Sequence, residues 1–201
     1  MNNKNFHFLA TWVSRIFSPL IIIPGYLLYE IKRLIIGFPQ QLLVFLVIFG
    51  FGVVPICIAL IVLKKTHHIT DWNMTERKER HLFNGITLFF GFICLILLSL
   101  FFRRIFTIEI FIILIWMTLF TGTTFFWKIS AHTIVITYLA KIVVDSNAGN
   151  FGWIYGLIPL VAWSRVYNKK HTWEQVIGGV IFAFITLHVT YLIFHFSIID
   201  I

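Results

Sequence analysis

Charged residues are scarce in this 201-residue chain, and acidic residues are the scarcest. Asp and Glu together number 8, against 16 Lys and Arg, and the four types make up 12% of the sequence. A soluble domain carries roughly 25%. A chain this poor in charge cannot present a water-facing surface of ordinary composition, so soluble globular classes are excluded and a membrane protein is expected.

Cysteine and the common catalytic motifs are also nearly absent. The 2 cysteines, Cys57 and Cys94, lie inside apolar runs, which excludes a disulfide framework and favours two small buried hydrophobes. No Walker-type loop, dinucleotide fingerprint, GxSxG elbow or HExxH helix occurs in the sequence. His67 and His68 are adjacent and would point in different directions on a regular element, so they do not predict a metal pair.

What the chain has instead is long apolar runs. Apolar residues make up 59% of the sequence, and the mean hydropathy is +0.92. A membrane helix needs about 20 mostly apolar residues, and continuous runs of this length exclude the alternating strands of a membrane barrel. Four spans are predicted, at 42–63, 83–102, 105–127 and 176–199.

Two shorter apolar segments, 131–146 and 151–164, flank the turn-forming residues 145–150. This pattern predicts a tight helical hairpin.

The N-terminal stretch 12–36 contains Pro19, Pro24 and Gly25 and ends in charged residues. It either crosses the membrane, which we favour, or lies at the interface as an amphipathic helix. The predicted fold class is therefore all-α, a polytopic membrane helical bundle of six to seven transmembrane helices. We expect one membrane-embedded domain, with residues 1–37 as an N-terminal span or interfacial helix and 40–197 as the core.

Two short polar segments interrupt the oily sequence, 128–132 (KISAH) and 164–171 (SRVYNKKH). Each places a histidine beside a cation at the end of a predicted span, and ionisable groups at membrane depth are costly enough to suggest a function. Two helices separate each segment from the next, so both should share one side of the membrane with the loop 64–82. A positive-inside count would make this side cytoplasmic, although a phosphate site gathers Arg and Lys for its own reasons.

These residue types suit phosphate chemistry. A phosphate ester hydrolyses very slowly in water, so an enzyme must supply positive charge for the phosphate oxygens, an in-line nucleophile and an acid for the leaving oxygen. Arginine meets phosphate oxygens in pairs. Histidine, with a pKa near 6.5, can attack when neutral or donate when protonated. A helix that begins after Ser130 and His132 would also direct its first amides at an anion.

The two segments resemble the motifs of the type 2 phosphatidic acid phosphatase superfamily of membrane lipid phosphatases. The segment 128–132 resembles P-S-G-H, with Ser130 and His132 retained. Ser164-Arg165-x5-His171-x3-Gln175 resembles S-R-x5-H-x3-D in order, spacing and position at helix boundaries. The resemblance covers roughly residues 40–197. The arrangement of the chain is also similar to that of the small prokaryotic members of the superfamily.

The resemblance implies a role for each matching residue. His171 would be the nucleophile that takes the phosphoryl group, and His132 would protonate the leaving lipid oxygen. Arg165 would bind the phosphate, with hydrogen bonds from Ser130 and its neighbouring amides. The family's third motif, K-x6-R-P, matches less well: Arg80 fits its arginine, but His81 replaces the proline and Asn73 replaces the lysine. The missing cation is assigned to Lys78, Arg77 or Lys128.

Gln175 is the second departure, because the family has aspartate there to orient the histidine and stabilise its cationic form. An amide oxygen can still accept the Nδ1 proton, so orientation survives while charge stabilisation is lost. Glu174 is another candidate for compensation. We therefore expect a weakened or specialised phosphatase, acting on a phosphomonoester or diphosphate of a lipid, with an isoprenoid favoured.

Other interpretations stay open. Arg165, Lys169 and Lys170 could anchor a span among lipid headgroups, and the charged loop 64–82 could simply be solvated. The same Arg and His cluster could serve a non-catalytic protein that binds or transports anionic lipids. His188 and His195 are assigned to interhelical hydrogen bonds or the interface. We expect a cell-membrane protein with the bilayer and a lipid phosphate as partners, no nucleic acid, no metal and no cofactor.

Overall fold

The computed structural model describes residues 3–35, 37–72, 74, 76–102, 104–147 and 149–194. The side chains of residues 3, 4, 77, 104–106, 193 and 194 are not described. Within these ranges the regular structure is helical, and no strand occurs. The helices are α1 (Asn3–Ile16), α2 (Pro19–Leu34), α3 (Phe38–Lys65), α4 (Arg77–Phe101), α5 (Arg104–Phe126), α6 (Ala131–Ser146), α7 (Leu157–Tyr167) and α8 (Trp173–Phe194).

The predicted long spans are confirmed as helices within the described residues, and residues 195–199 of the fourth prediction lie outside them. Four stretches are long and apolar enough to cross a membrane: Phe38–Lys65, Lys78–Phe101, Thr107–Phe126 and Trp173–Leu192. Many of their large apolar side chains are exposed, which suits helices that face lipid. The chain is thus all-helical and consistent with a membrane protein.

The predicted hairpin forms, but its second arm is displaced. α6 runs from Ala131 to Ser146 as expected. The segment 151–164 instead begins with a 3₁₀ turn, Gly152–Gly156, and α7 extends to Tyr167. Two glycines within five residues weaken an α-helix at this point. Because α7 extends to Tyr167, Ser164 and Arg165 lie in its last turn rather than in the loop beyond it.

The N-terminal segment is two helices rather than one. α1 and α2 meet at a bend of 42° and together count as a fifth candidate span. Pro19 is the first residue of α2, where its missing N–H costs nothing. Near the end of α2, the fully buried Glu30 accepts hydrogen bonds from Arg33 Nε and Nη2 at 2.9 and 2.6 Å.

The helices form two compact units. The second unit, residues 28–128, holds α3 to α5. Within α3 a π-helical stretch, Ile48–Val53, interrupts the regular hydrogen bonds, and the Cys94 thiol donates to the carbonyl of Val47 at 3.6 Å. A Cβ on Gly52 would lie 2.9 Å from Cys94 Sγ, so this glycine permits the close approach of α3 and α4.

The first unit comprises the described parts of 1–27 and 129–201. It contains α1, the start of α2, and α6 to α8. Its buried core joins Val13 of α1 to Ile136 of α6 and Val161 of α7, with Phe17 and Leu139 packed against them. The N-terminal helix is therefore part of the same packed unit as residues 129–132 and 164–171 of the two polar segments.

Candidate active site

Ser130 immediately precedes α6 and is fully buried. Its backbone is extended, and its Oγ accepts from the backbone N–H of Thr133 at 3.4 Å, so Ser130 is the helix N-cap. His132 follows in the first turn and is 7% exposed. The N-terminal end of α6 therefore holds both motif residues in a nearly water-free setting, with the positive end of the helix dipole beside them.

Arg165 lies in the last turn of α7 and is 2% exposed. Beyond it the chain makes a Schellman turn, in which Lys169 N donates to Val166 O at 2.9 Å and Lys170 N donates to Arg165 O at 3.0 Å. Lys169 takes the left-handed conformation that this turn requires, with φ 54°. His171 N also donates to Arg165 O, at 3.4 Å. The turn therefore fixes the backbone conformation between Arg165 and His171.

His171 is 7% exposed and lies just before α8. Its Nδ1 is 3.0 Å from Gln175 Oε1, and the same oxygen accepts from the backbone N–H of Thr172 at 3.3 Å. A backbone N–H can only donate, so the Gln175 atom that faces His171 is the oxygen, and Nδ1 must carry the proton. A neutral His171 therefore keeps its lone pair on Nε2.

Gln175 thus has two tasks. Thr172 precedes the first residue of α8 and Gln175 is three residues later, the spacing of a capping box. The amide oxygen caps the helix through Thr172 and orients His171 through Nδ1. The sequence-based expectation that an amide preserves orientation is consistent with this geometry.

The two motif segments are joined by main chain. Ser130 N donates to the carbonyl of Gln175 at 3.2 Å, so the start of α6 contacts the first turn of α8. One turn further along α8, a Cβ on Gly179 would lie 2.9 Å from Ser130 O and would clash with Thr133 Oγ1. Gly179 is needed there because any larger residue would push the two helices apart.

The N-terminal helix α1 also contacts this part of the first unit, through Arg165. Arg165 Nη1 donates to Ser14 Oγ of α1 at 2.6 Å, and Ser14 is 8% exposed. Sequence reasoning missed Ser14 and Gly179. Ser14 lies 151 residues from Arg165 and outside any motif, and no local pattern could have identified it. Gly179 carried a weak signal, as a glycine inside an apolar helix.

The remaining predicted site residues lie in the second unit. Arg80 is 6% exposed, and its Nε donates to the carbonyl of Met74 at 2.9 Å, so it holds the loop before α4. Lys78 is exposed and Lys128 is half-buried. Asn73 and the Arg77 side chain lie outside the described residues.

The other histidines have separate settings. His68 Nδ1 is 2.8 Å from Thr66 Oγ1, in the loop after α3. His188 is exposed on α8, and His195 lies outside the described residues. Among the residues that the structure describes, no group of three His, Cys, Asp or Glu could hold a metal ion.

The first unit contains two buried histidines, one buried guanidinium and the N-terminus of α6. Main-chain hydrogen bonds link Ser130 of the α6 start to Gln175 of α8, and His171 to Arg165 of α7. Positive charge and hydrogen-bond donors dominate, which suits an anion. Comparison with family models, with curated proteins and with solved structures gives no match.

Proposed function

We propose that the protein is a membrane lipid phosphate phosphatase that hydrolyses a phosphomonoester or diphosphate of a lipid, preferably an isoprenoid, through a phosphohistidine at His171. The observation that carries the proposal is the bond from His171 Nδ1 to Gln175 Oε1. It gives the neutral imidazole a lone pair on Nε2, the form needed for nucleophilic attack. The arginine of the neighbouring turn supplies a cation for the phosphate.

The reaction takes two steps. In the first, Nε2 of His171 attacks phosphorus while the bond to the lipid-side oxygen breaks, and protonated His132 gives its proton to that oxygen. In the second, neutral His132 takes a proton from water, the water oxygen attacks the phosphohistidine, and the phosphorus–nitrogen bond breaks. The products are the dephosphorylated lipid, or its monophosphate from a diphosphate, and inorganic phosphate.

Charge stabilisation comes from two sources in this proposal. Arg165 binds the equatorial oxygens through its planar fork. Ser130 and the first amides of α6 donate to a further oxygen, where the helix dipole favours negative charge. Lys78, Arg80 and Lys128 lie in the second unit, and their role as further cations stays a prediction from the family's third motif.

The membrane arrangement follows from the same proposal. α6 has 16 residues, about 24 Å of helix, which is shorter than the roughly 30 Å hydrocarbon core. We propose that α6 and α7 nonetheless cross, with local thinning of the bilayer. With the four long spans this gives six crossings, or seven when the N-terminal pair also crosses, in the cell membrane. A lipid phosphate would then reach the helix ends sideways from one leaflet.

One observation favours a second candidate function. Gln175 is neutral, so the partner of His171 adds no negative charge to stabilise an imidazolium. A protein that binds or transports anionic lipids would need the cations but not this stabilisation. The non-catalytic reading therefore predicts binding of a lipid phosphate without release of inorganic phosphate.

The test is a phosphate-release assay on purified protein across isoprenoid and glycerolipid phosphates, with and without a chelator. We expect release by the wild type, and loss of roughly 1,000-fold or more in His171→Ala, because the nucleophile is gone. His132→Ala should lose roughly 100- to 10,000-fold, the usual contribution of a general acid.

The matched control is His188→Ala. Because His188 is exposed on α8, this variant should be fully active. Binding without release by the wild type would establish the second candidate, and loss of activity on chelation would contradict the metal-free mechanism.

A further inference from the structure

We propose that Ser14 is a positioning residue that holds the Arg165 guanidinium in the orientation that receives a phosphate, so that the N-terminal helix α1 is part of the active site. This inference rests on the proposed function and deepens it. It concerns a residue outside every motif that the sequence analysis identified.

The contact is short and secluded. Arg165 Nη1 donates to Ser14 Oγ at 2.6 Å, and the two residues are 2% and 8% exposed. A guanidinium is planar, so fixing one nitrogen by a directional bond restricts rotation of the whole fork. Water competes poorly for a pair buried to this extent, and the bond therefore sets the orientation more firmly than an exposed contact would.

The chemical nature of the acceptor matters as much as its place. A buried arginine usually binds a carboxylate, which neutralises it. Ser14 accepts the same hydrogen bond with no net charge, so this contact adds no negative charge that would oppose an incoming dianion. An acidic residue at this position would hold the arginine equally well but would repel the phosphate.

α1 is well anchored for this task. Thr11, one helical turn before Ser14, donates from Oγ1 to Asn168 Oδ1 at 3.3 Å. Asn168 is the C-cap of α7, so two hydroxyls of α1 contact the end of the helix that bears Arg165. Val13 packs in the core with Ile136 and Val161, and Ala10 is fully buried. The serine hydroxyl is therefore delivered by a helix that packing holds in place.

The experiment compares Ser14→Ala, Ser14→Thr and Ser14→Asp in the full-length protein, with Thr11→Val as the matched control. Each variant is measured for phosphate release, for inhibition by vanadate, which mimics the five-coordinate transition state, and for thermal stability. Loss of one hydrogen bond to a charged group should lower kcat/KM of Ser14→Ala about 10- to 100-fold and weaken vanadate inhibition by a similar factor.

The other variants separate positioning from packing. Ser14→Thr keeps a hydroxyl and should retain most of the activity, whereas Ser14→Asp should fold and lose vanadate inhibition because it neutralises Arg165. Thr11→Val should lower thermal stability and leave the inhibition constant for vanadate unchanged.

Two results would count against the inference. If Ser14→Ala lowers only stability or the folded fraction, with kcat/KM per folded molecule and vanadate inhibition unchanged, Ser14 merely packs and the inference is wrong while the phosphatase proposal stands. If the wild type itself releases no phosphate, the proposed function fails and this inference fails with it.

Discussion

At the scale of single residues, the site depends on which atoms carry protons and charge. Gln175 presents an oxygen to both His171 and Thr172, and so fixes the histidine tautomer and the start of α8 together. It supplies no negative charge. In the proposed reaction the ring becomes cationic when Nε2 attacks phosphorus, and an aspartate or glutamate would stabilise that cation where an amide cannot.

Gln175→Glu should therefore speed the first chemical step by about 10-fold, since one unit of favourable charge interaction is worth about 1.4 kcal/mol. Glutamate has the same length and keeps the oxygen that caps Thr172. A rapid-quench measurement of phosphohistidine formation checks this. Glu174→Gln, which changes an exposed neighbour, tests whether that carboxylate already compensates for the missing charge, and an unchanged rate would show that it does not. An unaltered or slower first step in Gln175→Glu would show that charge at this position does not limit attack.

Motif spacing predicted the residues that meet through local structure. Ser130 and His132 share the first turn of α6, and Arg165 to Gln175 span one turn between helices, so sequence distance was a fair guide to proximity. Ser14 and Gly179 could not be found in this way, because each acts across a helix–helix contact. The oxygen that Arg165 uses belongs to a residue 151 positions away.

At the scale of elements, helix ends decide the geometry. The long spans follow from apolar length alone, but α3 and α4 begin four and six residues before their predicted starts at 42 and 83. Other differences depend on glycine and proline: Gly152 and Gly156 delay the start of α7, and Pro19 begins a second helix within the stretch 12–36 that was expected as one span or interfacial helix. Hydrophobicity reports which residues avoid water, but it does not report where the backbone hydrogen bonds are interrupted.

Lys169 offers a test of the turn between α7 and α8. Its φ of 54° is left-handed, which costs a residue with a side chain about 1 to 2 kcal/mol, and glycine is the usual occupant of this position. Lys169→Gly should therefore raise the free energy of unfolding by about 0.5 to 1 kcal/mol after the greater entropy of an unfolded glycine is counted. Thermal or denaturant unfolding in detergent measures the change.

Two controls separate backbone strain from charge in that experiment. Lys169→Ala removes the charge but keeps the strain, and should leave stability nearly unchanged. Lys170→Gly removes the neighbouring charge where φ is not positive, and should lower stability. If Lys169→Gly destabilises the fold as much as Lys170→Gly does, the turn does not store the strain described here.

At the scale of the whole molecule, the number of crossings determines which polar segments share a side. Four stretches are long and apolar enough to cross, and the proposed crossing of α6 and α7 adds two. If both cross, the turn after α6 lies opposite the turn that carries Lys169. If neither crosses, the two turns face the same solution.

Single cysteines at His67, Asn150 and Lys169, in a background with Cys57 and Cys94 changed to alanine, distinguish these arrangements. All three positions are exposed. In sealed, uniformly oriented vesicles, a membrane-impermeant maleimide should label His67→Cys and Lys169→Cys from one side, and Asn150→Cys only after the vesicles are opened. Labelling of all three from the same side would contradict the six-to-seven-helix arrangement.

The bond from Ser130 N to Gln175 O has a consequence for how this scaffold can change. It is a peptide-to-peptide link, so replacing a side chain at either end does not delete a partner from it. Reactive groups on the two helices can therefore be exchanged while the frame that aligns them persists. Under the proposed function, such a framework lets selection or an engineer vary turnover and lipid preference through point changes, without rebuilding the fold.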